Sequence, residues 1–165
     1  MTVAVTDRLR ELGIELPAVA APVAAYVPAV RVGDLVYTSG QLPFVDGELT
    51  ATGKVRDVSA AGRSDSEGSV SAEDAKAAAR VAALNALAAV DDLVGIDNVE
   101  RIIKVTGFVA SAAGFNGQPG VINGASELFG EIFGDAGKHA RSAVGVNELP
   151  LDTPVEVEII VQVRS

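Results

Sequence analysis

Hydrophobic and polar positions alternate with a period of two through the last quarter of the chain. The segment Ala140-Arg141-Ser142-Ala143-Val144-Gly145-Val146-Asn147 sets small or polar residues against valines, and Val155 to Val163 repeats the pattern with larger apolar side chains. This is the period of half-buried strands. Between them lies Leu149-Pro150-Leu151-Asp152-Thr153-Pro154, a short loop with two prolines, so the pair is expected to fold back as an antiparallel hairpin. In the first strand Arg141, Ala143, Gly145 and Asn147 share one face, with Val144 and Val146 on the other. In the second, Val155, Val157, Ile159, Val161 and Val163 face the core, while Glu156, Glu158, Ile160 and Gln162 face away. Arg141 is expected on the face opposite the core, where its small neighbours leave room for a ligand under a fixed guanidinium.

Upstream, strands are expected over Tyr26 to Val32 and Leu35 to Gln41, joined at Gly33-Asp34, a hairpin turn signal. Thr6 to Leu12 reads as a short helix closed by Gly13, and Ile14 to Ala25, rich in proline and alanine, as an extended lead-in. Gly53 to Gly68 mixes glycine, serine and charges of both signs and is expected to be a surface loop. Ser71-Ala72-Glu73-Asp74 starts the clearest helix, with a serine cap and acids in its first turn. Its apolar residues continue through Ala77, Val81, Leu84, Leu87, Ala88 and Leu93 to a stop at Gly95, and its alanine-rich face should lie flat on a sheet. A strand over Ile102 to Ala110 follows. The second helix, Val121 to Phe133, carries a stripe of Ile122, Ala125, Leu128, Phe129 and Phe133. The order β-β-α-β-α-β-β implies a mixed α+β sandwich with two helices on one face of a sheet.

Composition narrows what such a domain can do. At 165 residues the chain suits one domain, with a core of small branched side chains, since 48% of residues are apolar but only 4% aromatic. A formal charge of −9 with singly scattered basic residues argues against a nucleic-acid partner, which needs clustered Lys and Arg. There is no cysteine, which removes thiolate nucleophiles, disulfides and cysteine zinc sites. The single histidine, His139, is expected in a solvated loop, and no metal site is expected around it. Gly114, Gly117 and Gly120 lack the register of a nucleotide-binding loop. No signal peptide or membrane span is expected, so the chain is read as cytoplasmic.

Tyr26-Val27-Pro28-Ala29-Val30, Val36-Tyr37-Thr38-Ser39-Gly40-Gln41-Leu42-Pro43 and Ala140-Arg141-Ser142 stand in this order, and together they resemble the RidA (YjgF) family of reactive-intermediate deaminases. The likeness runs from about Tyr26 to Val163. It divides the chain into a lead-in over residues 1–25 and one RidA-like domain over 26–165, with residues 53–68 as an insertion. It implies a chorismate-mutase-like fold and a homotrimer with its pockets at subunit interfaces.

The resemblance also implies roles for single residues. Arg141 would clamp a substrate carboxylate, for which the planar guanidinium fork is suited. Glu156 would hold or activate the attacking water. Tyr26, Ser39, Gly40 and Asn123 fall on pocket positions, and Ala143 stands where many members have cysteine. The bland readings are a cross-strand pairing of Arg141 with Glu156, Glu158 or Gln162, a solvated strand carboxylate for Glu156, a rim aromatic for Tyr26, a bulge at Ser39-Gly40 and a first-turn polar residue for Asn123. In a tight hairpin Arg141 would pair near Gln162, about 20 Å from Glu156, so one subunit could not use both on a small substrate. The implied activity is cofactor-independent hydrolysis of a 2-imino (enamine) acid to a 2-keto acid and ammonia. The alternative is a non-catalytic trimer that binds a small carboxylate metabolite. The endoribonuclease label that the family also carries finds no basic stripe here.

Overall fold

The protein is described by a computed structural model that covers residues 4–19, 25–57 and 68–165. It is a mixed α+β fold with one five-stranded sheet and three helices. Helix α1 (Val5–Glu11) ends at Gly13, whose positive φ lets the chain reverse. Strands β1 (Ala29–Val32) and β2 (Leu35–Thr38) form the expected hairpin, with Gly33 at φ 58° in its turn. A second hairpin, β3 (Phe44–Val45) with β4 (Glu48–Leu49), turns on Asp46-Gly47, both at positive φ. It went unread in the sequence, although Asp-Gly is a strong turn signal.

The stretch 53–68 begins as a strand, not as surface loop, and a second strand follows directly after it. Strands β5 (Lys54–Arg56) and β6 (Ser69–Ser71) pair in parallel, and Val55 is fully buried in the core. Two contacts hold β5 in place: the Gly53 amide donates to the Asp152 carbonyl, and Val55 bridges Ser111, the Ala112 amide donating to the Val55 carbonyl. The middle of the expected loop, residues 58–67, lies outside the described residues.

Helix α2 (Ala72–Val94) is capped as expected, the Asp74 amide donating to Ser71 Oγ at 3.0 Å, and Gly95 at φ 80° stops it. Its buried face differs from the expected one. Ala75, Ala78, Ala79, Ala82, Ala83, Ala86, Leu87 and Val90 are buried, whereas Ala77 and Leu93 are exposed and Val81 and Leu84 half-exposed. Close approach explains the choice. A Cβ built on Gly124 of helix α3 (Gln118–Phe133) would come within 3.0 Å of the Lys76 carbonyl carbon, so the two helices touch through backbone there and only small residues fit between. Ion pairs Lys76–Glu127 and Arg80–Glu131 line the solvent side of this seam.

Both helices cover one face of the sheet, whose order is β1-β2-β9-β7-β8, with β7 at Val99–Ala110, β8 at Ala140–Val146 and β9 at Val155–Val163. The expected terminal hairpin does not form. Strand β8 lies parallel to β7 at the sheet edge, the product of a β7-α3-β8 crossover, and β9 inserts antiparallel between β2 and β7. The loop between them is a carry-over. A 3-10 turn at Pro150–Asp152, with Leu151 and Asp152 at positive φ, takes the chain past the end of β7, and buried Thr153 donates to the Val155 carbonyl. Burial gives the reason: every core-facing residue of β9 is 0–1% exposed, which requires a strand on each side, while β8 tolerates an edge.

Among the described residues no helix covers the opposite face of the sheet. Val30, Val32, Tyr37 and Val144 are exposed there, beside half-buried Phe108 and Ile160. Among the described residues no helix is long and apolar enough to cross a membrane.

Candidate functional site

Pairing register fixes where Arg141 points. It lies opposite Val105, which is opposite Ile159, and both of those are buried beneath the helices. Arg141, Ala143 and Gly145 therefore share a face as expected, but it is the helix face at its outer edge, not the face opposite the core. Strand β8 overhangs α3 there, and the guanidinium meets that helix from the side. Its Nη1 donates to Asn123 Oδ1 at 2.7 Å and to Ser126 Oγ at 3.2 Å. Both partners are neutral. Among the described residues no carboxylate pairs with Arg141, so the expected alternative of a cross-strand salt bridge is not what holds it. Ala143 follows along the strand, opposite Gly107, where a Cβ would run into Ile122 Cγ1 at 2.5 Å. That missing side chain lets α3 settle onto β7 and leaves Ala143 packed at the margin of the core.

Beyond Arg141 the contacts continue. Ser126 Oγ is 2.9 Å from His139 Nε2, and His139 Nδ1 is 2.6 Å from the Gly137 carbonyl oxygen. The His139 ring stands edge-on to Phe129, centroids 5.9 Å apart. His139 is thus half-buried and bonded at both nitrogens, contrary to the expected solvated loop histidine. Ser126 was not singled out in the sequence. It lies three residues after Asn123 on a helix, so the two share a face, which is a legible signal.

Glu156 faces the other way. It is opposite Phe108, in a row with Val144, on the helix-free face. Its carboxylate lies against Gly40: a Cβ there would sit 2.7 Å from Glu156 Cδ and 2.9 Å from Cγ. The neighbouring Gln41 exchanges two backbone hydrogen bonds with Val157, at 2.8 and 3.0 Å, which pins the Gly40 backbone beside the acid. Burial pushes the Glu156 carboxyl above the usual carboxylate range, and the nearby Glu158 charge adds to the effect. Ser39 sits one residue before Gly40, its hydroxyl donating to the Val27 carbonyl at 2.6 Å and its amide to the Pro28 carbonyl at 2.8 Å. That clasp spends the hydroxyl proton but leaves oxygen lone pairs. It also anchors the segment bearing Tyr26, which is 48% exposed.

The candidate residues fall into two separate groups. Arg141, Asn123, Ser126, His139 and Ala143 gather at the α3–β8 edge, whereas Glu156, Gly40, Ser39 and Tyr26 belong to the β1–β2–β9 side. Two strand spacings separate Arg141 from Glu156 laterally, about 10 Å, and three residues separate them lengthwise, about another 10 Å. They also lie on opposite faces of the sheet. The expected pairing of Arg141 near Gln162 is wrong, because β7 intervenes, yet the consequence drawn from it stands on firmer ground: one subunit cannot bring both groups to a small molecule. Among the described residues no three His, Asp or Glu side chains cluster as metal ligands would.

Residues 6–162 match the family described as YjgF/chorismate mutase-like, whose description also carries an endoribonuclease label. The chain belongs to the YjgF family. It is 38% identical over 163 residues to "Protein TCP17" of Trypanosoma cruzi, covering 98% of this chain and 95% of that one. It is 30% identical over 152 residues to a 2-iminobutanoate/2-iminopropanoate deaminase of Dermatophagoides farinae, covering 92% and 95%. Among solved structures, E. coli TdcF with bound serine superposes at a TM-score of 0.59 with 31% identity, over 90% of this chain and 94% of that one.

Proposed function

We propose that the protein hydrolyses reactive 2-imino (enamine) acids to 2-keto acids and ammonia. The observation that carries this reading is the state of Arg141: a half-buried guanidinium, oriented by two neutral acceptors, with its charge unmatched by any described carboxylate. Such a group is ready for a ligand carboxylate and would form two parallel charge-assisted hydrogen bonds with it. A relative that carries the deaminase name, and another that holds serine, a small amino acid, support a carboxylate-bearing substrate.

In the proposed assembly three chains associate through their helix-free sheet faces. The exposed Val30, Val32, Tyr37 and Val144 support such packing, being apolar side chains that a lone subunit leaves in water. The Arg141 edge of one chain then meets the Glu156 face of its neighbour. Arg141 holds the carboxylate, with Asn123 and Ala143 shaping that end of the pocket. Glu156, kept proton-hungry by burial, takes a proton from a water as its oxygen bonds to the imine carbon. Backbone groups at Ser39-Gly40 help to orient that water, and Tyr26 closes the rim. The C=N electron pair moves onto nitrogen, and Glu156 returns the proton to it. As the C–N bond breaks and ammonia leaves with that pair, the hydroxyl oxygen forms the keto C=O and passes its proton back to Glu156, which ammonia then removes as ammonium. Imines hydrolyse unaided, so positioning and modest acid–base help suffice, and the residues present ask for no cofactor.

The test is keto-acid release from 2-iminobutanoate generated in situ by an amino-acid oxidase, with light scattering on the same sample. Accelerated release by a trimer is expected. No acceleration over several imino acids, together with Arg141-dependent binding of a keto acid, would instead establish a non-catalytic carboxylate-binding protein. A stable monomer would remove the shared site.

A further inference from the structure

We infer that Ser126 and His139 are positioning residues that lock the Arg141 guanidinium in the orientation needed to grip a carboxylate side-on. The inference rests on the carboxylate-binding reading of Arg141 and deepens it. It starts from the Gly137 carbonyl, which can only accept, so the hydrogen of the neutral His139 ring is on Nδ1. His139 Nε2 is then bare and accepts from the Ser126 hydroxyl at 2.9 Å. With its proton committed to the imidazole, Ser126 Oγ turns its lone pairs to Arg141 Nη1 at 3.2 Å. The direction of every hydrogen bond in the chain follows from a single backbone oxygen.

The fold enforces the starting point. The 3-10 turn Gly134–Gly137 presses its backbone onto the last turns of α3. A Cβ on Gly137 would come within 2.7 Å of the Phe129 carbonyl carbon and 3.1 Å of the Gly130 nitrogen. That contact delivers His139 to Ser126, and the Phe129 ring braces the imidazole at an interplanar angle of 87°.

The consequence for Arg141 is geometric. Of the five guanidinium donors, the two on Nη1 are taken by Asn123 and Ser126. The donors without a partner among the described residues are Nε–H and the pair on Nη2, and Nε–H with one Nη2–H forms a parallel fork. A carboxylate is therefore accepted along the Nε–Nη2 edge, with the plane of the fork set by Ser126 and Asn123 on the far side. Without Ser126 the guanidinium keeps one anchor and can swing about it.

Because the chain holds a single histidine, its imidazole nitrogens give uncluttered nitrogen NMR signals. The protonated-Nδ1 tautomer is expected, and 2-oxobutanoate, a stable keto acid, should shift the Nε2 signal in the wild type but not in Arg141→Ala. Ser126→Ala and His139→Ala should each weaken 2-oxobutanoate binding about five- to tenfold, the order of one lost hydrogen bond. The double variant should be no worse than either single one. His139→Gln keeps an acceptor at about the reach of Nε2 and should recover most of the affinity. If Arg141→Ala loses binding while Ser126→Ala binds as the wild type does, or if the two losses add, the relay is overturned and the carboxylate reading stands. If the wild type does not bind the keto acid, or Arg141→Ala binds it equally well, the carboxylate reading falls and the relay with it.

Discussion

Gly40→Ala separates the place of Glu156 from the stability of the fold. The added Cβ would overlap the Glu156 carboxylate, lying 2.7 Å from Cδ and 2.9 Å from Cγ, where ordinary contact needs about 3.5 Å or more. The backbone at Gly40 asks for no left-handed conformation, so alanine itself is not strained there. The pairing of Gln41 with Val157 prevents the Gly40 backbone from retreating. The carboxylate must give way, and as the tip of a flexible side chain it can rotate toward the helix-free face at small energetic cost. Relief of the overlap needs a movement of about 1 Å, and a misplacement of that size can reduce a rate about a hundredfold, or about 2.7 kcal/mol of barrier. Alanine also restricts the unfolded chain, which offsets any loss by about 0.4–1 kcal/mol, so the melting temperature should stay within about 4 °C of the wild type. The assay is the rate of keto-acid release from the in-situ imine, beside a thermal melt. A variant with full catalytic efficiency would refute the reasoning, since Glu156 would then be free to move without consequence. Equal losses of activity and of fold would refute it too.

Arg141→Lys should reduce imine hydrolysis about a hundredfold with an unchanged melt, because lysine keeps the charge but cannot satisfy Asn123 and Ser126 while offering a fork; an unchanged rate would sink the clamp. For Glu156 the folded-state pKa is raised, so the folded protein holds a proton that the unfolded chain has released, and stability falls as pH rises through the folded value. Glu156→Gln should accordingly melt higher than the wild type at pH 7.5, with the gap closing toward pH 4, and should be inactive; a lower melt at both pH values would contradict that sign. Wild-type activity should have its acid limb above the usual carboxylate range for the same reason. Val55→Ala should lower the melting temperature by roughly 4–8 °C, from a loss of about 2 kcal/mol in a fully buried site, whereas a loop merely draped on the surface would show no change.

The sequence recorded faces better than neighbours. Period-two alternation placed the odd-numbered residues Val155 to Val163 toward the core and grouped Arg141, Ala143 and Gly145 on one face, because burial of one side is what alternation encodes, but in β8 it assigned that face to the wrong side of the sheet. It contains no term for which strand lies alongside, so β8 and β9 were paired with each other merely because they are adjacent in the chain. In α2 a reading weighted toward large apolar residues chose Val81 and Leu84, but a seam in which Gly124 touches the Lys76 backbone selects alanine by size. Val55 was hidden by its surroundings, one of two valines among glycine, serine and charge. At the candidate site, Arg141, Glu156 and Gly40 were visible through short motifs. The link from Ser126 to His139 joins residues 13 apart across a turn, and only the packing of Gly137 on α3 brings them together.

The central position of β9 bears on how the chain is made. As synthesis proceeds, β1 and β2 emerge early and can form only an isolated hairpin, while β7, α3 and β8 can assemble later as a separate unit. Nothing joins these two halves into one sheet until β9, the last of its five strands to be translated, arrives and zips against both. Its contacts span long stretches of chain, the Ile159 amide reaching Thr38 Oγ1 across 121 residues. A topology of such high contact order is expected to fold slowly, and a nascent chain short of β9 exposes two unpaired strand edges, at β2 and β7, which are open to non-native pairing until β9 fills the gap.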